Sequence, residues 1–199
     1  AEGACAPVAI RTDGGGVTQG HCILSHGFES GPDATKVTAL ARVAEDLGWT
    51  TERPDYTDLD ARLEVGRLGD VPGRLQRLLG IAGAAVARGT PVVLAGSSLG
   101  SYVSALASLQ VPTRALFLMV PPTRMGPLPE LDAAAVPISI VHAWRDELIP
   151  AADVVEWARQ RGARLLLVDD SHRLARHVET TARAFAQLLT SLPREPHRQ

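Results

Sequence analysis

Short apolar runs alternate with segments whose apolar residues recur at helical spacing along almost the whole chain. The runs that read as strands are 7–11, 21–25, 50–54, 91–95, 114–120, 137–142 and 164–168. Four of them, Val92-Val-Leu, Leu116-Phe-Leu-Met-Val120, Ile138-Ser-Ile-Val141 and Leu165-Leu-Leu-Val168, are nearly continuous in apolar side chains. A strand reads this way when both of its faces are covered, as in a parallel sheet between helices. Between the runs, Val37, Leu40, Ala41, Ala44 and Leu47 form one helical stripe, stopped by Gly48. Leu75, Leu78, Leu79, Ala82 and Val86 form a second, and Leu174, Val178, Ala182, Phe185, Leu189 and Leu192 a third that ends at Pro193. The stretches 56–69 and 121–129 read as loops, and the polar tail 193–199 as frayed. The pattern predicts an α/β fold in one domain over 1–199, with a mostly parallel central sheet of about seven strands flanked by helices.

Composition narrows the function classes. With 45% hydrophobic and 21% charged residues in 199, the chain fits a globular domain large enough for a sizeable core. Its apolar runs are too short to cross a bilayer, so no membrane association is expected. A formal charge of -2 gives no electrostatic reason to expect nucleic acid, whose binding relies on clustered Lys and Arg. Cys5 and Cys22 each fall in or beside a predicted strand. They fit either a bridge between neighbouring strands or two buried free thiols in a reducing compartment. The opening Ala-Glu-Gly-Ala-Cys lacks the basic and then apolar plan of a signal peptide, and the cytoplasm is the expected location.

The candidate chemistry begins at Gly96-Ser97-Ser98-Leu99-Gly100, which follows a buried-type strand and precedes the helix-compatible stretch 102–109. It fits G-x-S-x-G, in which a serine on a sharp strand-to-helix turn projects its hydroxyl above the sheet edge. Ser97 is out of register, because its flanking positions would be Ala95 and Leu99. Ser and Gly here also suit an ordinary helix cap, so the reading depends on partners. A serine needs a histidine to take its proton and an acid to orient that histidine, and on an open parallel sheet such groups follow the carboxyl ends of later strands. Asp146 follows the strand ending at His142, with Glu147 competing for the acid's role, and His172 follows the strand ending at Val168. Asp146 also suits the approach to a helix, favoured by the macrodipole. Asp169 and Asp170 lie too close to His172 on its own loop to reach Nδ1 easily. His21, His142, His177 and His197 fall in strands, on the last helix or in the tail.

A tetrahedral intermediate requires two backbone N–H donors. One is expected from Leu99, directly after Ser98. The other is expected from Phe28 in His26-Gly-Phe-Glu-Ser-Gly31, where glycine lets the backbone turn an amide inward.

Taken together, Ser98, Asp146, His172 and His26-Gly-Phe28 resemble the α/β-hydrolase superfamily over roughly residues 5–192. Ser25-His-Gly-Phe28 with Ser30, Pro32 and Lys36 is most similar to its small bacterial hydrolases. The resemblance implies a serine hydrolase working through an acyl-enzyme on a small-molecule acyl substrate, with no metal or organic cofactor. It makes Ser98 the nucleophile, His172 the general acid and base, and Asp146 its orienter. Many relatives insert a helical cap after the strand that follows the elbow helix. Here 120–136 is short and carries Pro121, Pro122, Pro127 and Pro129, so an open, lidless site is expected.

The rim is expected from 28–33, 56–68, 121–128 and 143–148. Phe28, Leu59, Leu99, Met125 and Trp144 are candidates for an apolar acyl slot, and His26, Met125 and Trp144 for substrate contact, though each also suits packing. Arg124 and Arg145 either recognise an acidic substrate or are solvated. Esterase action on small carboxylic esters leads. Thioester or amide hydrolysis by the same triad, or a non-catalytic binding protein on this fold, are the alternatives. A dinucleotide oxidoreductase is excluded, since no G-x-G-x-x-G follows the first strand.

Overall fold

The computed structural model describes residues 18–61 and 69–193. Six strands form one sheet: β1 (His21–Ser25), β2 (Thr50–Glu52), β3 (Val92–Ser97), β4 (Ala115–Met119), β5 (Ile138–Ala143) and β6 (Arg164–Val168). Their spatial order is β2-β1-β3-β4-β5-β6, and every neighbouring pair is parallel. The helices are α1 (Thr35–Asp46), the short α2 (Thr57–Asp60), α3 (Val71–Ala87), α4 (Leu99–Ser108), α5 (Ala151–Arg161) and α6 (Val178–Ser191).

Alternation along the strands explains the layering, because successive side chains point to opposite faces. Ile23, Leu94, Leu116, Leu118 and Ile140 turn to one side, where they join Leu78 of α3, Tyr102 and Val103 of α4 and Val154 of α5. Cys22, Leu24, Val93, Ala95, Phe117 and Met119 turn to the other and join Val37 and Leu40 of α1 with Phe185 and Leu189 of α6. The Phe117 and Phe185 rings meet at 5.0 Å between centroids. Helices on both faces are what continuous apolar strands require, so β3, β4 and β5 are buried throughout.

Several expectations change. The seventh strand candidate, 7–11, and Cys5 lie outside the described residues, whereas Cys22 is a buried thiol. The strand expected over 50–54 ends at Glu52, since it is a short edge strand and Pro54 has no N–H for a ladder. β6, expected to be buried on both faces, is also an edge and leaves Leu166 at 36% exposure. The loop expected over 56–69 contains α2. The last helix starts at Val178, with Leu174 in a turn at φ 53° before it. No helix interrupts the crossing from β4 to β5, so no helical cap is inserted there. Among the described residues, no helix is long and apolar enough to cross a membrane.

Candidate active site

The site lies at the carboxyl edge of the sheet. β3 ends at Ser97, and Ser98 then adopts φ 53° and ψ -118°, a left-handed turn that an L residue pays strain to hold. The surrounding structure enforces the turn. Ser98 N–H donates to Met119 O at 2.8 Å. Ser101 Oγ accepts from Met119 N–H at 3.0 Å and lies 2.7 Å from Gly96 O, tying the first turn of α4 back to two strands. The two motif glycines are steric necessities. A Cβ on Gly96 would lie 2.2 Å from the Gly100 backbone, and one on Gly100 would lie 2.2 Å from Ser25 O. Val120 at the end of β4 is held at φ 44°, unusual for a β-branched residue, with its N–H on Val141 O.

Two other strand ends supply the partners. His172, on the loop after β6, places Nε2 2.9 Å from Ser98 Oγ and Nδ1 2.8 Å from Asp146 Oδ2. Asp146, on the loop after β5, is fully buried at its side chain, and its Oδ1 accepts from Leu148 N–H and Ile149 N–H, each at 2.9 Å. Burial pushes this carboxyl up, but the hydrogen bonds from His172 and the two amides outweigh it and hold it below the usual range. Glu147 faces elsewhere: its Oε2 accepts the backbone N–H of His172 at 3.0 Å, which fixes the histidine loop and not the ring. Asp170 is similarly occupied, accepting from Ser171 N–H, Arg176 N–H and His177 Nδ1. The geometry therefore brings Ser98, His172 and Asp146 into one relay and leaves Glu147 and Asp170 outside it.

Behind the relay sits His142, to which the sequence pattern assigns no role beyond its strand. Its Nε2 donates to Ile149 O at 3.1 Å and lies 3.8 Å from Asp146 Oδ2. Burial lowers its pKa, so it stays neutral beside the acid. Lys36 on α1 is pushed down to about 8 by burial and feels the carboxylates of Asp146 and Asp170.

On the opposite side, the loop after β1 approaches the serine. Gly27 is adjacent: a Cβ there would lie 3.3 Å from Ser97 O and 3.5 Å from Ser98 Cβ. Phe28 follows, and Glu29 at φ 51° turns the chain away. Leu99, the first residue of α4, has an amide with no carbonyl one helical turn behind it.

His26 is not a rim residue. It is fully buried, its Nδ1 donating to Gly27 O at 2.8 Å and its Nε2 accepting Tyr56 N–H at 3.0 Å, so no ring nitrogen is left for a substrate. Met125 is 8% exposed and belongs to the apolar cluster that contains Leu99. Trp144, by contrast, is 60% exposed on the loop that carries Asp146. Arg145 pairs with Asp169 at 2.9 Å and Arg124 with Glu130 at 3.1 Å, both in the open. Among the described residues, no cluster of three or more His, Cys, Asp or Glu side chains is arranged to hold a metal ion.

No protein-family model matches the chain, and no curated protein does. Solved structures do. A protein from Xanthomonas campestris pv. campestris, assigned to the alpha/beta hydrolase superfamily, is 76% identical, with a TM-score of 0.84 over 88% of this chain and 99% of its own. A serine hydrolase without lid from Xanthomonas campestris is 22% identical, with a TM-score of 0.76 over 91% of this chain and 86% of its own. Est1E from Butyrivibrio proteoclasticus is 20% identical, with a TM-score of 0.65 over 88% and 89% of the two chains. These last two likenesses concern the fold alone.

Proposed function

The chain belongs to the α/β-hydrolase superfamily, and from that premise we propose that it is a serine hydrolase that cleaves small carboxylic esters through an acyl-enzyme on Ser98. The observation that carries the reading is the unbroken hydrogen-bond chain from Ser98 Oγ through His172 to Asp146, with steps of 2.9 and 2.8 Å. Asp146 is held as a carboxylate and can only accept. Nδ1 of His172 therefore carries the ring proton, and Nε2 offers its lone pair to the Ser98 hydroxyl.

As Oγ bonds to the ester carbonyl carbon, its proton passes to Nε2 and the carbonyl π pair moves onto oxygen. That oxyanion is met by the N–H groups of Phe28 and Leu99. Collapse restores the carbonyl and breaks the bond to the alcohol oxygen, which takes the proton from Nε2. Water then repeats both steps: its proton goes to Nε2 and on to Ser98 Oγ as the acid departs.

Two features favour short, accessible acyl groups. The crossing from β4 to β5 carries no helix that would fold over Ser98. Near Leu99 and Phe28, a Cβ on Gly69 would lie 2.2 Å from Leu99 Cδ2 and 3.4 Å from both Phe28 Cδ2 and Asp60 Oδ1, so the chain packs closely against these side chains.

The test is intact-mass labelling with a fluorophosphonate, followed by turnover of p-nitrophenyl esters, a thioester and an anilide. The expected result is a single adduct on the wild type and none on Ser98→Ala, with p-nitrophenyl acetate turned over faster than long-chain esters. Folded wild type that takes no adduct would overturn the reading and leave a binding role on this fold. Faster thioester or anilide turnover would replace the ester assignment.

A further inference from the structure

Arg74 is the one charged residue on the buried stripe of α3, between Val71 and Leu78, and it is fully buried. Its guanidinium is oriented on three sides. Nε donates to Asp60 Oδ1 at 3.0 Å and Nη2 to Asp60 Oδ2, forming a two-pronged ion pair. The carbon of the guanidinium lies 4.7 Å from the Tyr56 ring centroid. The remaining edge reaches the loop after β1, where Nη1 donates to His26 O at 2.8 Å and Nη2 to Gly27 O at 3.2 Å.

The contact with Gly27 O is the one that matters for chemistry. A trans peptide unit points its C=O and the following N–H in opposite directions. Holding Gly27 O toward Arg74 and His26 Nδ1 therefore turns Phe28 N–H away from the buried guanidinium, while Gly27 itself abuts Ser98. We infer that Arg74, anchored by Asp60, is a positioning residue that fixes the Gly27–Phe28 peptide plane and so aims the Phe28 amide at the developing oxyanion. The inference rests on the hydrolase reading above. A buried guanidinium serves better than a lysine because its planar fork meets a carboxylate and two carbonyls at once.

Arg74→Met fills similar volume and removes the fork. Its kcat on p-nitrophenyl acetate is expected to fall by about 100-fold with KM within about threefold, as when one oxyanion donor is lost. Phenylboronic acid, whose Ser98 adduct puts an oxygen in the same place, should lose affinity in proportion to kcat. The acid inflection of kcat/KM, which reports the relay, should not move. Arg74→Lys should recover part of the loss. Asp60→Asn, which keeps an acceptor for Arg74, provides the same split should Arg74→Met fail to fold, with a loss of about tenfold. Folded variants with wild-type kcat and boronate affinity would overturn the inference alone, as would a loss that comes with a shifted inflection, because that places the damage in the relay. A wild type without turnover or boronate binding would overturn the hydrolase reading along with it.

Discussion

At the scale of single residues, the relay depends on which atom of His172 carries its proton, and Asp146 decides that. Replacing it by Asn puts an N–H donor or a weaker acceptor opposite Nδ1 and favours the tautomer with Nε2 protonated, which cannot take the Ser98 proton. Asp146→Asn is therefore expected to cut kcat by about 10³-fold or more while keeping the fold. Glu147→Gln retains an oxygen for the His172 amide and should cost less than about fivefold, within what a lost charge on a backbone contact explains. Parallel kcat measurements decide between the two acids, and a larger loss at Glu147 would reverse the assignment. Ser98, Asp146 and His172 were legible because each follows a strand in a fixed order and needs only local pattern to be found. The buried network was not. His26 reads as a loop residue in the sequence, and only Tyr56, remote along the chain, explains why Nε2 is occupied as well as Nδ1, while Arg74, equally remote, holds its backbone carbonyl. Arg74 did leave a trace, a charge in step with Val71, Leu78, Ala82 and Ala85 on a face otherwise apolar.

At the scale of elements, the elbow works because helix α4 can approach β3 and the end of β1 without side chains between them. Ala at Gly96 or Gly100 would force its methyl group to 2.2 Å from backbone atoms, which no rotamer change can relieve. Each is expected to destabilise by about 3 kcal/mol or more, read as a lower urea midpoint, and to lower kcat as Ser98 shifts. Gly80 and Gly83 make the control: both lie inside α3, and an added Cβ meets nothing within 4 Å at either. Ala there should raise stability by about 0.5–1 kcal/mol each. The contrast separates steric necessity from mere helix propensity, and equal effects at all four positions would contradict it. Elements were legible in proportion to their burial. β3, β4 and β5 announce themselves as apolar runs, whereas the edge strand β2 carries only Thr-Thr-Glu and α2 only four residues, too few for a period to show.

At the scale of the whole molecule, the active edge is held between two buried neutral histidines, His26 after β1 and His142 at the end of β5. For both, burial is the largest cause of a pKa below the ordinary 6.5. Below pH 6.5 the unfolded chain protonates these rings while the folded chain still refuses the proton, so the unfolded state binds more protons and stability falls with pH. The loss begins near 6.5 and continues until the depressed folded values are reached, with a slope of about 1.4 kcal/mol per pH unit for each ring that remains neutral. Asp146 and Asp170 act in a separate, lower window. Their depressed values stabilise the fold above the ordinary carboxylate range, and that stability is lost as pH falls through them. Urea unfolding between pH 7.5 and 5 should therefore show a falling midpoint well before carboxylates titrate. His26→Gln will lower stability at every pH, since the Gly27 and Tyr56 contacts weaken, but its slope across this range should shrink by up to one proton. A wild-type midpoint flat from pH 7.5 to 5 would mean that these rings accept protons in the folded state, and an unchanged slope in His26→Gln would mean the same of His26. The edge would then tolerate a buried positive charge beside the Gly27–Phe28 peptide, and Arg74 would be working against a second cation there.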